Sequence, residues 1–341
     1  MEKHLAFIGM NVDKLASLEM RGQRLDQGMI DQLYRAARQK LGAPLTMLAA
    51  EKLAAQVSAS DTVIITTGAG RAPYLPKGET DGPLGAASVA RALRYGLDAI
   101  PVILCEEDFA ENIAATCVAA GVAVRDYETA KVVPFSCTVQ SFPCDDTATQ
   151  AAQNVMKQME PKALIAIEKL GPNVVGIAHS AVGMQVTENR ARVEHLFDLA
   201  RKSGILTIGI GDNGNEIGFG IIADAVRKYK EYGDVCQCPC GKGLACVTET
   251  DVLIVAGTSN WGAYGIEACL AAILGKPELI HDAETERRML EECVRTGAVD
   301  ASYAQQVPSV DGTPAYVQTA LLDLMRFVVI KGLGPGRKKT W

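Results

Sequence analysis

Short apolar runs alternate along the sequence with longer segments in which apolar residues recur every three or four positions. Short runs rich in β-branched residues predict buried strands, and the longer segments predict amphipathic helices. The predicted strands are 62–67, 100–105, 122–126, 132–136, 163–168, 205–210 and 252–256. The predicted helices are 84–97, 107–120, 147–160, 193–203, 217–232, 261–274, 283–296 and 313–330. This alternation is typical of an α/β protein with a doubly wound, mostly parallel sheet and helices on both faces.

The first 58 residues show helical patterns and no strand pattern. Segments 29–41 and 45–57 predict two helices, and the second follows Pro44, which favours a helix start. We therefore predict an N-terminal helical extension over residues 1–58 and an α/β domain over residues 59–341 that carries any catalytic site. The helical segments after residue 276 would cover the sheet or form a dimer surface, and we expect a homo-oligomer.

The segment 205–220, ILTIGIGDNGNEIGFG, stands out because a buried strand runs into a turn crowded with functional side chains. Asp212, Asn215 and Glu216 lie in this turn, close to the start of the predicted helix. Ordinary turn chemistry accounts for Gly, Asn and Asp at such a place, but it does not account for a glutamate beside them.

Three other predicted strands run into similar glycine-rich, polar segments. These segments are TTGAGR at 66–71 with GETDGP at 78–83, EKLG at 168–171, and GTSNWG at 257–262. In a doubly wound sheet, ligands bind outside the carboxyl ends of the strands. The four loops therefore predict one shared site at that edge.

Composition narrows the class of partner. The net charge is -6, and the only basic run is Arg337-Lys338-Lys339, so nucleic acid is not expected as a partner. No apolar run of 18 residues predicts a membrane span, and no signal-peptide pattern is expected at the N-terminus. Ten cysteines in a chain of 341 residues are expected to be reduced thiols in a cytoplasmic protein.

At these loops the chain resembles the D-glutamate cyclase family. The matching segments are Gly-Glu-Thr-Asp-Gly-Pro at 78–83, Ala-Ile-Glu at 166–168, the turn at 211–216 with Gly218 and Gly220, Ser-Asn-Trp-Gly at 259–262, Asp311-Gly312, the helix around 286–290 and the segment at 11–13. Two positions depart from the family pattern: Asn213 replaces the usual Gly, and Ala178-His179-Ser180 replaces a stretch containing Tyr and Asn. The resemblance implies conversion of D-glutamate, or a related acidic amino acid, to 5-oxo-D-proline with loss of water.

That reaction joins an amine to a carboxylate that resists attack, and keeping a Glu-like carboxyl protonated at pH 7 costs roughly 4 kcal/mol. Five acidic side chains from the loops would surround the substrate, and like charges packed together cannot all stay ionised. Either several carboxyls are protonated, or a divalent cation such as Mg²⁺ or Mn²⁺ lies among them. We predict the cation.

Chemistry then assigns the roles. We predict Glu168, Asp212 and Glu79 as catalytic residues, Asp212, Glu216 and Asp81 as metal ligands, and Gly68, Gly70, Arg71, Asn215, Ser259 and Asn260 as substrate-binding residues. Glu168, or Glu79 if it is not a ligand, would take the amine proton. Backbone N–H groups at 68–70, helped by Arg71, would bind the α-carboxylate.

Several alternatives stay open. Gly209, Gly211 and Gly214 match a dinucleotide fingerprint, but no acidic residue ends a strand some 20 residues later, so we expect no NAD. The turn also resembles a metal-binding motif of haloacid-dehalogenase phosphatases, although residues 66–68 are not their Asp-x-Asp nucleophile. A small-anion-binding module without turnover is the other alternative. The thiols of Cys236, Cys238, Cys240 and Cys246 could hold zinc, act in redox chemistry or be reduced loop cysteines, and His179 could line the pocket or the surface.

Overall fold

The computed structural model describes residues 3–20, 22 and 26–334 and contains a seven-stranded parallel sheet. The strands are β1 (Thr62–Thr67), β2 (Ile100–Cys105), β3 (Ala123–Val124), β4 (Ser136–Ser141), β5 (Ala163–Ile167), β6 (Leu206–Gly211) and β7 (Val252–Val255). Their order in the sheet is β3-β4-β2-β1-β5-β6-β7, and every neighbouring pair is parallel. A separate antiparallel pair consists of β8 (Ser309–Val310) and β9 (Thr313–Pro314). The doubly wound α/β fold predicted from the sequence is confirmed.

Helices cover both faces of this sheet. They are α1 (Lys3–Ala16), α2 (Met29–Leu41), α3 (Leu45–Gln56), α4 (Pro83–Leu97), α5 (Ala110–Ala119), α6 (Tyr127–Val132), α7 (Ala148–Met159), α8 (Glu194–Lys202), α9 (Ala223–Tyr229), α10 (Ser259–Leu274), α11 (Ala283–Arg295) and α12 (Ala315–Leu333). Successive strand residues point to opposite faces, so Val63 and Ile65 join one core and Ile64 joins the other. Helices α7 and α8 cover the face of Ile64, and most of the others pack on the opposite face. None of the helices among the described residues is long and apolar enough to cross a membrane.

Two predicted elements were wrong. The strand predicted at 132–136 is mostly the end of helix α6 and a turn, and the strand itself begins at Ser136. The side chain of Asp126 accepts a hydrogen bond from the Thr129 N–H and caps α6, so a helix forms before the predicted strand and its last residue, Val132, overlaps that strand. The helix predicted at 217–232 begins only at Ala223. The reason is that Gly218 has a φ of 111°, which does not fit a helix, and packs closely against Gly209. A Cβ on Gly218 would lie only 2.9 Å from the Gly209 Cα.

The N-terminal helices share the large core with the sheet. The buried carboxylate of Asp13 accepts hydrogen bonds from the N–H groups of Leu45 and Thr46 at 2.7 and 3.0 Å, which caps the start of α3. The Gly257 N–H, just after β7, donates to the Ala16 carbonyl at 2.7 Å. The predicted division of the chain at residue 58 stays a prediction, and the terminal basic run lies outside the described residues.

The sheet also fixes where a ligand can enter. The chain crosses from β1 to β2 on one side of β1, and β5 lies on its other side. The strand order therefore reverses between β1 and β5, and a crevice opens there at the carboxyl ends of the strands. The loops that follow β1, β5, β6 and β7 all begin at this edge.

A buried ion network ties α10 to α11 away from that crevice. His281 Nδ1 lies 2.6 Å from Glu267 Oε2, and His281 Nε2 lies 3.0 Å from Glu286 Oε2. All three side chains are at most 1% exposed. Burial alone would lower the pKa of His281, but the charge and hydrogen bond of Glu267, and then Glu286, raise it to about 9.

This network predicts a pH dependence of stability. Because the folded chain holds the His281 proton more tightly, the contribution of His281 to the free energy of unfolding is complete below about pH 6.5 and is lost as the pH rises through about 9. The contribution is about 3 kcal/mol, at about 1.4 kcal/mol per pKa unit. Urea unfolding of the wild type and of His281→Gln between pH 6 and 10 checks this. The two curves should converge towards pH 10, and a constant gap would contradict the assignment.

Candidate functional site

A cavity of about 450 Å³ lies at the carboxyl edge of the sheet. Its walls come from the loops after β1, β5, β6 and β7 and from residues 301–313. Apolar side chains, among them Leu75, Val182 and Trp261, line part of it. The acidic residues among its lining are Glu79, Glu168, Asp212 and Asp311. The four loops that the sequence placed at one edge therefore contribute to a single acidic cavity.

Asp212 is the centre of the acidic cluster. Oxygen atoms of Asp81, Asp212 and Asp311 lie within 4.8 Å of one another. The same distance limits a second group, formed by Glu168, Asp212 and Glu216. Asp212 follows the end of β6 and accepts a hydrogen bond from the Asn213 side chain at 2.6 Å. The loops after β1, β5 and β6 and the turn between β8 and β9 thus bring carboxylates together around one aspartate.

Glu216 folds back onto the turn that carries Asp212. Its carboxylate accepts hydrogen bonds from the N–H groups of Asp212, Asn213 and Gly214 at 3.1, 2.8 and 2.7 Å. Burial and the neighbouring Asp212 charge raise the pKa of Glu216 to about 8, while the N–H groups of Asp212 and Asn213 oppose that rise. Glu216 does not line the cavity. It holds the turn in shape and offers an oxygen near Asp212, which explains a glutamate where turn chemistry alone did not require one.

Asp81 and Asn260 cap each other's helices. The Asp81 carboxylate accepts hydrogen bonds from the N–H groups of Ser259 and Asn260, both at 2.8 Å, at the start of α10. The Asn260 Oδ1 accepts from the N–H groups of Gly82 and Gly85 at 2.9 and 2.7 Å, at the start of α4. Both side chains are buried and neither lines the cavity. Burial and the Asp212 charge raise the pKa of Asp81 to about 7, against the helix N–H groups.

Ser259 and Asn260, both predicted as substrate-binding residues, take part in these capping hydrogen bonds. Ser259 Oγ donates to Glu168 Oε2 at 2.5 Å, and the Asn260 side chain is bonded to backbone groups of α4 and of Thr80. Neither residue is among those that line the cavity. Their contact with a substrate stays a prediction, and the structure gives them a role in positioning Glu168 and the two helices.

Glu168 occupies a strained position at the end of β5. Its φ of 47° lies in the left-handed region, which is uncommon for residues other than Gly and Asn and is found at functional sites. Beside it, Gly82 has a φ of 104°, and a Cβ there would lie 2.6 Å from Thr67 Oγ1. Burial raises the pKa of Glu168 well above its usual value, and the charge of Asp212 adds to this. Both effects favour the protonated form of the Glu168 carboxyl.

Glu79 and Asp311 face the same cavity from other loops. Burial, and then the charge of Asp311, raise the pKa of Glu79 well above its usual value. Asp311 has a φ of 49° and precedes Gly312 in the turn between β8 and β9. We did not predict Asp311 as a site residue, although its Asp-Gly sequence was part of the family resemblance. A turn signal alone does not reveal that the turn reaches the cavity.

The remaining predicted residues divide into two groups. Gly70 and Arg71 line the cavity, and Arg71 is exposed, whereas the Gly68 carbonyl accepts a hydrogen bond from Lys169 Nζ at 3.1 Å. Asn215 lines the cavity and donates through Nδ2 to the His179 carbonyl at 2.8 Å. The Asn215 Oδ1 is buried and has no hydrogen-bond partner among the described residues. An amide oxygen in this position is available to a ligand.

The sequence did not reveal a buried ion pair beside the cavity. Lys169 Nζ lies 2.5 Å from Glu106 Oε2, and the Lys169 side chain is fully buried. Glu106 also accepts a hydrogen bond from the Ala191 N–H at 2.9 Å. Lys169 stood in the EKLG loop and Glu106 directly after β2, but only the sheet order brings them together.

Comparison with known proteins agrees with this architecture. A family model described as "D-glutamate cyclase-like, C-terminal" matches residues 28–326. A human protein named "D-glutamate cyclase, mitochondrial" is 28% identical over 270 residues, which cover 76% of this chain and 40% of that protein. The chain thus spans less than half of the length of that relative. Because the family model matches most of its residues, the chain belongs to the D-glutamate cyclase-like C-terminal family.

Proposed function

We propose that this chain is a lyase that converts D-glutamate, or a related acidic amino acid, to 5-oxo-D-proline and water. The observation that carries the proposal is the convergence of Glu79, Glu168 and Asp212, from three separate loops, on one partly apolar cavity. The family membership supports the same reaction, since the human relative is named as a D-glutamate cyclase. A cytoplasmic location and a homo-oligomeric state remain predictions.

The reaction needs a base and an acid in one place. The substrate amine forms a bond to its own side-chain carboxyl carbon, and one carboxyl oxygen leaves as water with two of the ammonium protons. The ammonium must lose one proton before it attacks and a second as the amide forms, and the departing oxygen must gain two protons to leave as water. A carboxyl group can do either task, as a base when ionised and as an acid when protonated, and a raised pKa favours the protonated form.

We assign these tasks to Glu168 and Glu79. Both line the cavity, and burial together with neighbouring carboxylates raises both pKa values. Glu168, held by Ser259 Oγ, is proposed as the base that takes the amine proton, and Glu79 as the acid that protonates the departing oxygen. Gly70 and Arg71 would bind the substrate carboxylates from the cavity wall, and Asn215 Oδ1 would accept a hydrogen bond from the substrate amine. The cavity walls keep the substrate in its folded conformer, which supplies proximity.

The acidic cluster also fits a hard divalent cation. Carboxylate oxygens suit Mg²⁺ or Mn²⁺, and Asp212 belongs to both groups of carboxylates that lie within 4.8 Å. The partnerless Asn215 Oδ1 adds a neutral oxygen to the same wall. We propose Asp212 as the shared ligand, assisted by Asp81 and Glu216 as predicted and by Asp311. A bound cation would neutralise the cluster and polarise the substrate carboxyl.

The alternatives fit the cavity less well. A module that only binds anions would line its pocket with cations. Among the described residues that line this cavity, Arg71 is the only basic one, against four acidic ones. A phosphatase of the haloacid-dehalogenase type would need an acidic nucleophile at the end of β1, where this chain has Thr66, Thr67 and Gly68. The residues that line the cavity therefore favour catalysis on an acidic amino acid over both alternatives.

Incubation of the full chain with D-glutamate and Mn²⁺ is expected to yield 5-oxo-D-proline, detected by chiral chromatography with mass spectrometry. L-Glutamate tests the enantiomer preference. D-Aspartate is the matched control, because its shorter side chain would have to close a four-membered ring and should give no product. Tight binding of D-glutamate without any product, with either metal ion, would favour the binding module and overturn the proposed reaction.

Replacement of Asp212 by Asn is expected to separate activity from stability. The change keeps the shape of the side chain but removes the charge at the centre of the cluster, so kcat should fall by at least about 100-fold. The midpoint of thermal unfolding should hold or rise, because repulsion among buried carboxylates is relieved. Glu188→Gln makes the same chemical change at an exposed position and should leave both quantities unaltered. Full activity in Asp212→Asn would remove Asp212 from the mechanism.

Mn²⁺ is expected to stabilise the wild type through the same cluster. At a free Mn²⁺ concentration 100 times the Kd, binding adds about 2.7 kcal/mol to the free energy of unfolding. Thermal unfolding of the wild type, Asp212→Asn and Glu188→Gln, each titrated with Mn²⁺, checks the site. The wild type and Glu188→Gln should rise together and Asp212→Asn should not. An equal rise in all three would place the cation elsewhere.

A further inference from the structure

A second group of ligand-type side chains lies outside the acidic cluster. His179 lies in the segment between β5 and α8, and Cys236, Cys238 and Cys240 lie between α9 and β7. His179 Nε2 is 3.3 Å from Cys238 Sγ and 3.6 Å from Cys240 Sγ. Cys236 Sγ is 3.5 Å from Cys238 Sγ and 3.3 Å from Cys240 Sγ. One nitrogen and three sulfur atoms thus lie within 4.8 Å of one another.

These distances suit a tetrahedral metal site. Metal–sulfur bonds of about 2.3 Å place the ligand atoms of a tetrahedron about 3.8 Å apart. The sulfur atoms are too far apart for a disulfide, whose S–S bond is about 2.05 Å, and all three cysteines are free. His179 is 1% exposed, and Cys236 and Cys238 are at most 9% exposed. Cys240 is half-buried. Four nitrogen and sulfur ligands complete a tetrahedron, which is typical of a structural zinc site.

We propose that His179, Cys236, Cys238 and Cys240 bind one Zn²⁺ ion as a structural site. His179 ligates through Nε2, and each thiol gives up its proton to bind as a thiolate. Soft sulfur ligands favour Zn²⁺ over the Mg²⁺ or Mn²⁺ expected at the carboxylates, so the two sites take different metals. The fourth sulfur of the sequence cluster, Cys246, lies outside this group, and its Sγ accepts a hydrogen bond from the Thr248 N–H.

The proposed zinc would join one wall of the cavity to a distant segment of the chain. The residues after His179, Ser180 to Val182, line the cavity, and the His179 carbonyl accepts the hydrogen bond from Asn215. Gln237, between two of the cysteines, donates from its side chain to the Val182 carbonyl at 2.8 Å. A metal at this point fixes the position of Asn215 and of the loop around it. The assignment of zinc itself does not depend on the proposed reaction.

Metal analysis of the wild type is the first test. The full chain, expressed in zinc-supplemented medium and dialysed against buffer without chelator, is expected to retain about one zinc per chain. Refolding or exchange with Co²⁺ should produce the charge-transfer and ligand-field absorption bands of tetrahedral cobalt bound by thiolates. A chain that retains no zinc, shows no such bands with Co²⁺ or contains a disulfide among these cysteines would overturn the proposal.

Variants locate the metal. Cys238→Ser and His179→Ala are expected to lose the zinc, and Cys144→Ser, which changes a half-buried thiol outside the cluster, should keep it. If Cys238→Ser fails to fold, Cys240→His provides a second test. This variant keeps a nitrogen or sulfur ligand at every position of the site and should retain zinc. Added Zn²⁺ should raise the unfolding midpoint of stripped wild type and of Cys144→Ser but not of Cys238→Ser. A full equivalent of zinc in folded Cys238→Ser would place the metal elsewhere.

Discussion

Repulsion among the carboxylates around Asp212 is the constraint on which the arrangement of the site depends. Glu79, Asp81, Glu168 and Glu216 are all buried near it, and burial with mutual repulsion raises their pKa values. Buried like charges of this kind oppose folding unless protons, hydrogen-bond donors or a cation offset them. The same repulsion that costs stability keeps protons available near neutral pH, which is what a cyclisation between an amine and a carboxylate requires.

Backbone N–H groups offset part of this repulsion by donating hydrogen bonds to the carboxylates. Glu216 accepts three of them from its own turn, and Asp81 accepts those at the start of α10. The first N–H groups of a helix lack partners within the helix and carry partial positive charge, so a carboxylate is stabilised there. Asp81 and Asn260 each cap the helix that the other one begins, which locks α4 and α10 together. Asp81 and Glu216 thus serve as supports, while Glu79 and Glu168 face the cavity.

Our two proposals place two different metal ions at separate sites in the chain. In our proposals a hard cation lies beside Asp212 at the cavity wall, and zinc lies among one nitrogen and three sulfur ligands behind another part of that wall. Asn215 connects them, because it lines the cavity and donates to the carbonyl of His179. The buried carboxylates would repel one another until the proposed cation binds. Bound zinc would instead stabilise the loop that shapes the cavity.

The sequence by itself determined the doubly wound sheet, the four glycine-rich loops and the acidic residues on them, because periodicity and turn chemistry are local properties. It misplaced the strand near residue 134, since the Asp126 cap competed with the apolar pattern, and it read 217–232 as one helix, since the close approach of Gly218 to Gly209 is a long-range contact. Tertiary structure alone decided which carboxylates face the cavity, that Asn260 caps α4, and that His179 joins cysteines more than 50 residues away. Hydrogen-bond partners and burial depend on which strands are neighbours, and no pattern within a single segment carries that information.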